Sequence, residues 1–477
     1  MESSGTPTPP PATLPDEVRV VNVGLSMFAD TVIDQGADAV DVDWKIPAGG
    51  RPESVDALTR LYGPAARSID DANAEVVRRL DAATPVLRSI GTAGDDVPGM
   101  DERTILHCGP PLPWQEFSDP LRRSVRAAVM AEGWEATPEQ AERLVSERGV
   151  VLASANAHAT SVPMATALGP SAPVLVVENP QSGHRAYSGI NQGPGQTAWF
   201  GVETPAAVER LVFLRDAVAP VLDAVIRASD PVDVFSFVAQ ALQMGDDAHM
   251  RTQAATNILI RHWLPALVEV EDAAAVDVAR FLASDHLFFL NIAMAAARCA
   301  TGWAAEVEGS SIVIGMARNG TTFGIRLSGV EDRWFIAGAP PVEDALFHPG
   351  YGPDDGALDI GDSAVLELIG LGGAAAAASP AVATFLGGSM SAAVATTEAV
   401  ARICAGRSSR FKLPMLDLQG SPVGVDVRKV VELQITPAIN TGILHATDGT
   451  GQVGAGIARA PLACFEEALL ALDASLR

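Results

Sequence analysis

Basic residues are scarce in this chain of 477. There are 33 Lys and Arg against 58 Asp and Glu, a formal net charge of −25. Sequence-independent nucleic-acid binding needs Lys and Arg to neutralise phosphate, so that class is excluded. A basic membrane-surface protein is excluded with it. Cysteine is scarce too. Its four copies, Cys108, Cys299, Cys404 and Cys464, lie far apart and form no CxxC. That excludes a disulfide scaffold and a cysteine-based zinc site, and makes a reduced cytoplasmic compartment the simplest expectation. No long apolar run goes unbroken. The most apolar stretch, 369–386, is interrupted by Gly372, Gly373, Ser379 and Pro380, so no membrane span is expected. Residues 1–16 are rich in Pro, Ser and Thr without a basic start or apolar run; they read as a disordered tail, not a signal peptide. A GxSxG elbow, a P-loop and a dinucleotide fingerprint are all missing.

What is present is a core-forming composition, with 48% hydrophobic and 19% charged residues, which excludes chain-wide disorder. The length suggests two to four domains. Val18–Gly24, Leu25–Gln35 and Ala39–Trp44 read as strand, helix and strand, a βαβ unit whose helix stops at Gly36. Helices over 71–83 and 120–147 and strands over 149–153 and 174–178 continue the pattern, and 181–195 reads as loop. A Rossmann-like parallel α/β domain is therefore expected over 17–202. Residues 203–305 read as a helical domain with few Gly or Pro. Residues 306–477 read as an α+β domain: Ser311–Ala317 and Thr321–Ser328 flank Asn319-Gly320, the strongest short hairpin signal, and Arg333–Ala337 completes an antiparallel meander.

Several blocks together resemble a known family. They include VNVG at 21–24, DVDWKIPAGG at 41–50, GMDERTILHCGPP at 99–111 and VVENPQSGHRAYSGINQG at 176–193. Further blocks are QALQMGDDAHMR at 240–251, MARNGTTFGIR at 316–326, HPGYGPDDGALDIGDSA at 348–364, INTGILH at 439–445 and GQVGAG at 451–456. The chain resembles the AllG/YlbE family over roughly 18–475. Some members are similar to a subunit of oxamate carbamoyltransferase in anaerobic allantoin breakdown. One departure stands out: a histidine cluster of the family pattern is reduced here to His158, in ASANAHATSVPM at 153–164.

The reaction implied by the resemblance is phosphorolysis of an oxalurate-like ureido acid to carbamoyl phosphate and an oxamate-like amide acid. Such a site holds two anions close together, stabilises an oxyanion and protonates the departing nitrogen. The expected partners are that small anionic substrate, phosphate, companion carbamoyltransferase subunits and a second copy in a homo-oligomer; no cofactor or metal is called for. A stand-alone amide or cyclic-ureide hydrolase and a non-catalytic structural subunit are the alternatives.

The catalytic candidates are His249, Asp246, Glu178 and Arg318. Asp246 and His249 stand i,i+3, on one face if the segment is helical; the carboxylate then orients the imidazole, or the pair is simply a solvated face. Glu178 and Asn179 end a strand, where polar side chains line a ligand crevice or merely re-enter solvent. Arg318 and Asn319 at the hairpin tip form an anion clamp with Arg326, or a plain turn. Asn191 offers an amide donor from a loop. Arg103 and His107 flank a buried-looking Thr-Ile-Leu, and Arg103 equally suits a cap. Asp362 clusters with Asp354 and Asp355 in a glycine-rich loop lacking the spacing of calcium loops. Asn440, Thr441, Gly442 and Gly454 complete the substrate-binding candidates as sources of backbone and side-chain donors.

Overall fold

The computed structural model describes residues 19–42, 44–330 and 333–477, so the expected tail over 1–16 lies outside the described residues. Strands Arg19–Val23 and Asp38–Val42 pair in parallel, Val21 opposite Val40, with helix Met27–Asp34 between them. This is the expected βαβ unit, because a parallel pair needs a crossover. Among the described residues the two strands pair only with each other, and within 19–46 only Ala29 is buried.

From Pro47 onward the protein is a mixed α/β structure of several small sheets and many helices. Among the described residues no parallel sheet runs through the N-terminal part, which corrects the Rossmann-like expectation. Val86–Thr92 pairs antiparallel with both Pro173–Asn179 and Val232–Asp233, and His184–Gly189 adds antiparallel to Pro173–Asn179. Thr104–His107 lies between Val151–Ser154, parallel, and Ala167–Leu168, antiparallel. A short β-branched run announces a strand, but its partner and direction depend on which apolar faces meet. The 181–195 loop is likewise corrected. Gly183, at φ +72°, turns the chain back, and Ala186 and Tyr187 bury their side chains in the strand that follows.

Residues 205–304 are mostly helical, as their texture predicts. Phe288–Ala304 is buried along nearly its whole length and packs on strands Pro173–Asn179 and His184–Gly189. A helix apolar all round can only be a core helix. The helical run breaks between Val234–Gln243 and Gln253–Glu269. Gly245 at φ +97° and Ala248 at φ +62° are incompatible with helix, so Asp246 and His249 do not share a helical face.

The meander forms as expected from Val313–Asn319, Thr322–Leu327 and Phe335–Gly338, with Gly320 at φ +79° in the turn. A short strand at Ile360–Gly361 joins its other edge. Behind it, Gln452–Arg459 is sandwiched between Val342–Phe347 and Ala438–Leu444, all antiparallel. The main apolar cluster draws on residues from Val76 to Leu444, and a second from Ala48 to Leu472. Both cross positions 202 and 305. Among the described residues no single helix is long and apolar enough to cross a membrane.

Candidate active site

Strand Ala438–Leu444 carries Asn440, Thr441 and Gly442 into the wall of a small cavity of about 60 Å³. His249, from the non-helical 244–252 segment, and Ser363, just after Ile360–Gly361, supply two more polar groups. Met164, Trp199, Phe200 and Leu290 are among the apolar walls. A mostly apolar recess with a few fixed polar groups is the usual form of a small-molecule site. The lining contains neither Lys nor Arg.

His249 is held by Glu367. Its Nδ1 lies 2.7 Å from Glu367 Oε1, with the two side chains 4% and 2% exposed. When Nδ1–H donates to the carboxylate, Nε2 carries the lone pair and is the ring nitrogen left to accept or deliver a proton. Glu367 Oε1 also receives the backbone N–H groups of Asn440 at 3.3 Å and Gly373 at 3.4 Å, while its Oε2 has no hydrogen-bond partner. Gly372 must be glycine: at φ +58°, a Cβ there would lie 2.2 Å from Glu367 Oε1. Asn440 is oriented by its Nδ2–H, which donates to Asp247, and its buried Oδ1 is left unpartnered. Asp247 in turn closes the 247–251 turn by accepting from the backbone N–H groups of Met250 and Arg251.

Arg318 does something different. It is fully buried and grips Asp359 with Nε and Nη2 at 2.7 and 2.8 Å. Nη1 donates to Gly361 O at 2.7 Å and Ser363 Oγ at 3.4 Å, and Nη2 also reaches Thr441 Oγ1 at 3.3 Å. All five donors are engaged by the protein, so the expected anion clamp has nothing left for a substrate anion. Arg318 instead sets Ser363 and Thr441 in the wall.

The other candidates disperse. Asp246 is buried, accepts from Ala255 N–H and Arg251 Nε, and burial pushes its carboxyl up. It anchors the next helix instead of orienting His249. Glu178 is an ion-pair partner of Arg88 and Arg185 on the outside of the antiparallel sheet. Asn179 accepts from Thr84 N–H and donates to Ser182 in a tight turn. Asn191 donates to Leu287 O and Asn291 and accepts from Gly193 N–H, fixing the loop that carries Trp199 to the wall. Asn319 ties the hairpin turn to Pro110 O. Arg326 packs over Trp334 in a separate recess, where burial lowers it to about 10. Arg103 stacks over Trp134 beside another recess.

Burial also lowers His107 to about 4, with its Nδ1 against Cys108 O at 2.8 Å. Asp362 is raised to about 6 by burial although it accepts from Gly109 and Val162 N–H; both lie behind the wall. Gly454 faces Ile443 and Phe347 across the sheet, and a Cβ there would meet Leu346 O at 2.7 Å, so it is a packing glycine.

Of the candidates, the structure brings together His249, Asn440, Thr441 and Gly442. Sequence reasoning missed Glu367, Asp247, Asp359 and Ser363. The glycine pair in IGLGG at 369–373, which wraps Glu367, and the adjacent acid in GDD were the available signals. The segment with the reduced histidine cluster, 153–164, ends in Pro163 and Met164 of the wall, while His158 turns away to Pro98 O at 2.7 Å.

A family model described as oxamate carbamoyltransferase subunit AllG matches residues 150–363. The oxamate carbamoyltransferase subunit AllG of Escherichia coli (strain K12) is 40% identical over 417 residues, covering 86% of this chain and 99% of that protein. The uncharacterized protein YahG of the same strain is 33% identical over 456 residues, 95% of this chain and 96% of its own length. Among solved structures, a conserved protein of unknown function from Enterococcus faecalis V583 superposes with a TM-score of 0.84 at 33% identity, over 86% of this chain and 99% of that one. The chain belongs to the AllG family.

Proposed function

We propose that this AllG-family chain is a carbamoyltransferase subunit whose cavity binds the amide-bearing end of a ureido acid, with His249 as the proton carrier. The carrying observation is the buried His249–Glu367 pair at a cavity whose other polar side chains, Asn440, Thr441, Ser363 and Gln452, are neutral. In the reaction, an oxygen of hydrogen phosphate attacks the carbamoyl carbon of an oxalurate-like acid. The bond from that carbon to the inner nitrogen breaks, giving carbamoyl phosphate and an oxamate-like amide. The proton lost by phosphate must reach the departing nitrogen, and a neutral His249 Nε2 can take the one and return the other. Glu367 stabilises the imidazolium formed in between.

The test is carbamoyl phosphate formation from phosphate and oxalurate by the chain with the proteins encoded beside it. Product that depends on phosphate and falls with His249→Gln supports the reading. Turnover indifferent to phosphate by the chain alone would make it a hydrolase, and no product in any combination would refute the proposal. One observation favours a second reading, a structural subunit. Two anions call for cations, and the lining has no Lys or Arg. Full activity of the assembled enzyme with His249→Gln would establish that second reading.

A further inference from the structure

Residues 19–46 fold as half of something. A two-stranded sheet is marginal by itself, and parallel strands are ordinarily covered on both faces. Here one face has its helix, Met27–Asp34, and the other is bare: Val21, Val23 and Val40 point out from it, 68%, 58% and 63% exposed. In the same stretch of chain Leu25, Met27 and Phe28 are also exposed, at 64%, 62% and 58%, as are Trp44 and Ile46 at 61% and 56%. Together these side chains expose on the order of 1,000 Å², comparable to the ~800 Å² per partner of a standard stable interface. Isolated surface apolar residues need no explanation, but so many of them within residues 21–46 do.

The occupant can be narrowed. The first 18 residues carry only Met1, Leu14 and Val18 as large apolar side chains, too few to cover the patch. Asp30, Asp34, Asp38 and Asp41 are exposed around it against Arg19 and Lys45, on a chain of net charge −25. An anionic lipid surface or a second copy would meet like charge. We infer that the βαβ unit docks a different protein subunit, one presenting an apolar face and open strand edge bordered by Lys and Arg. This rests on the reading that the chain works with companion subunits.

The test co-expresses the full chain with each protein encoded beside it and measures affinity by titration at low and high salt. The double variant Val21→Glu/Val40→Thr changes only exposed side chains and puts no like charges opposite each other, so circular dichroism and the thermal transition stay unchanged, while affinity falls at least 100-fold. Raising salt weakens the native complex. Binding that survives the double variant overturns the inference. So does a chain that dimerises alone through these residues, or one that binds none of the encoded proteins. A complex that forms as described but makes no carbamoyl phosphate would refute the function and leave the docking surface standing.

Discussion

Two buried side-chain pairs stand on either side of Asn440-Thr441, and they are built to opposite plans. Arg318–Asp359 is closed. Both side chains are 0% exposed, and the five guanidinium donors are spent on Asp359, Gly361, Ser363 and Thr441. His249–Glu367 is open. His249 lines the cavity, and Glu367 Oε2 and Asn440 Oδ1 are without a protein partner. Buried polar groups are nearly always satisfied; Arg318 meets that rule within the protein, while Glu367 and Asn440 each keep an oxygen without a protein partner. Burial and charge alone do not separate the two.

The comparison breaks most visibly at Arg318. Arg318→Met leaves Asp359 charged and unpaired in the interior, an expected loss of about 3–5 kcal/mol in denaturant unfolding. His249→Gln is the converse. It leaves unfolding within about 1 kcal/mol of the parent while cutting carbamoyl phosphate formation on the order of 100-fold or more. If both variants instead lose stability equally, the distinction between closed and open pairs fails.

The acid behaviour behind the wall sharpens it further. His107 is held neutral when folded, at about 4 against an ordinary value of 6.5. Its folded value is depressed, so the unfolded chain binds the extra proton, and the corresponding stability is lost as pH falls from 6.5 to 4. Asp362, raised from 3.8 to about 6, has the opposite sign and loses stability as pH rises across that window. His107→Gln therefore removes the acid-side loss: the stability difference between variant and parent shifts in the variant's favour by roughly 3 kcal/mol from pH 6.5 to 4. Equal curves at both pH values would show that His107 is not neutral in the fold. The smallest effect belongs to Thr441→Val, which removes one hydroxyl shared by Asp359 and Arg318. The expected cost is about 1–2 kcal/mol, with activity reduced less than by His249→Gln.

Legibility in the sequence followed the range of the interactions. The βαβ unit, the helical middle and the Asn319-Gly320 hairpin depend on neighbours a few residues away, and their patterns were readable. His249 and the Asn440–Gly442 triplet were picked out by residue type and block resemblance. Their relation was not readable, because Glu367 lies 118 positions from His249 and Asp247 lies 193 from Asn440. Asp246, the acid expected to orient His249, was wrong because two positive-φ residues unwind the segment, and nothing local distinguishes Asp246 from Asp247.

Local periodicity, turn chemistry and composition thus determined where the elements lie, that the chain is acidic with a large apolar core, and which polar residues were worth watching. Only the tertiary structure decided that the N-terminal strands pair apart from the rest and that the strands after them pair mostly antiparallel. It also decided that Arg318 is spent on Asp359 while His249 faces a cavity. Those outcomes turn on which distant groups share one desolvated space, and on whether each buried donor and acceptor finds its partner there.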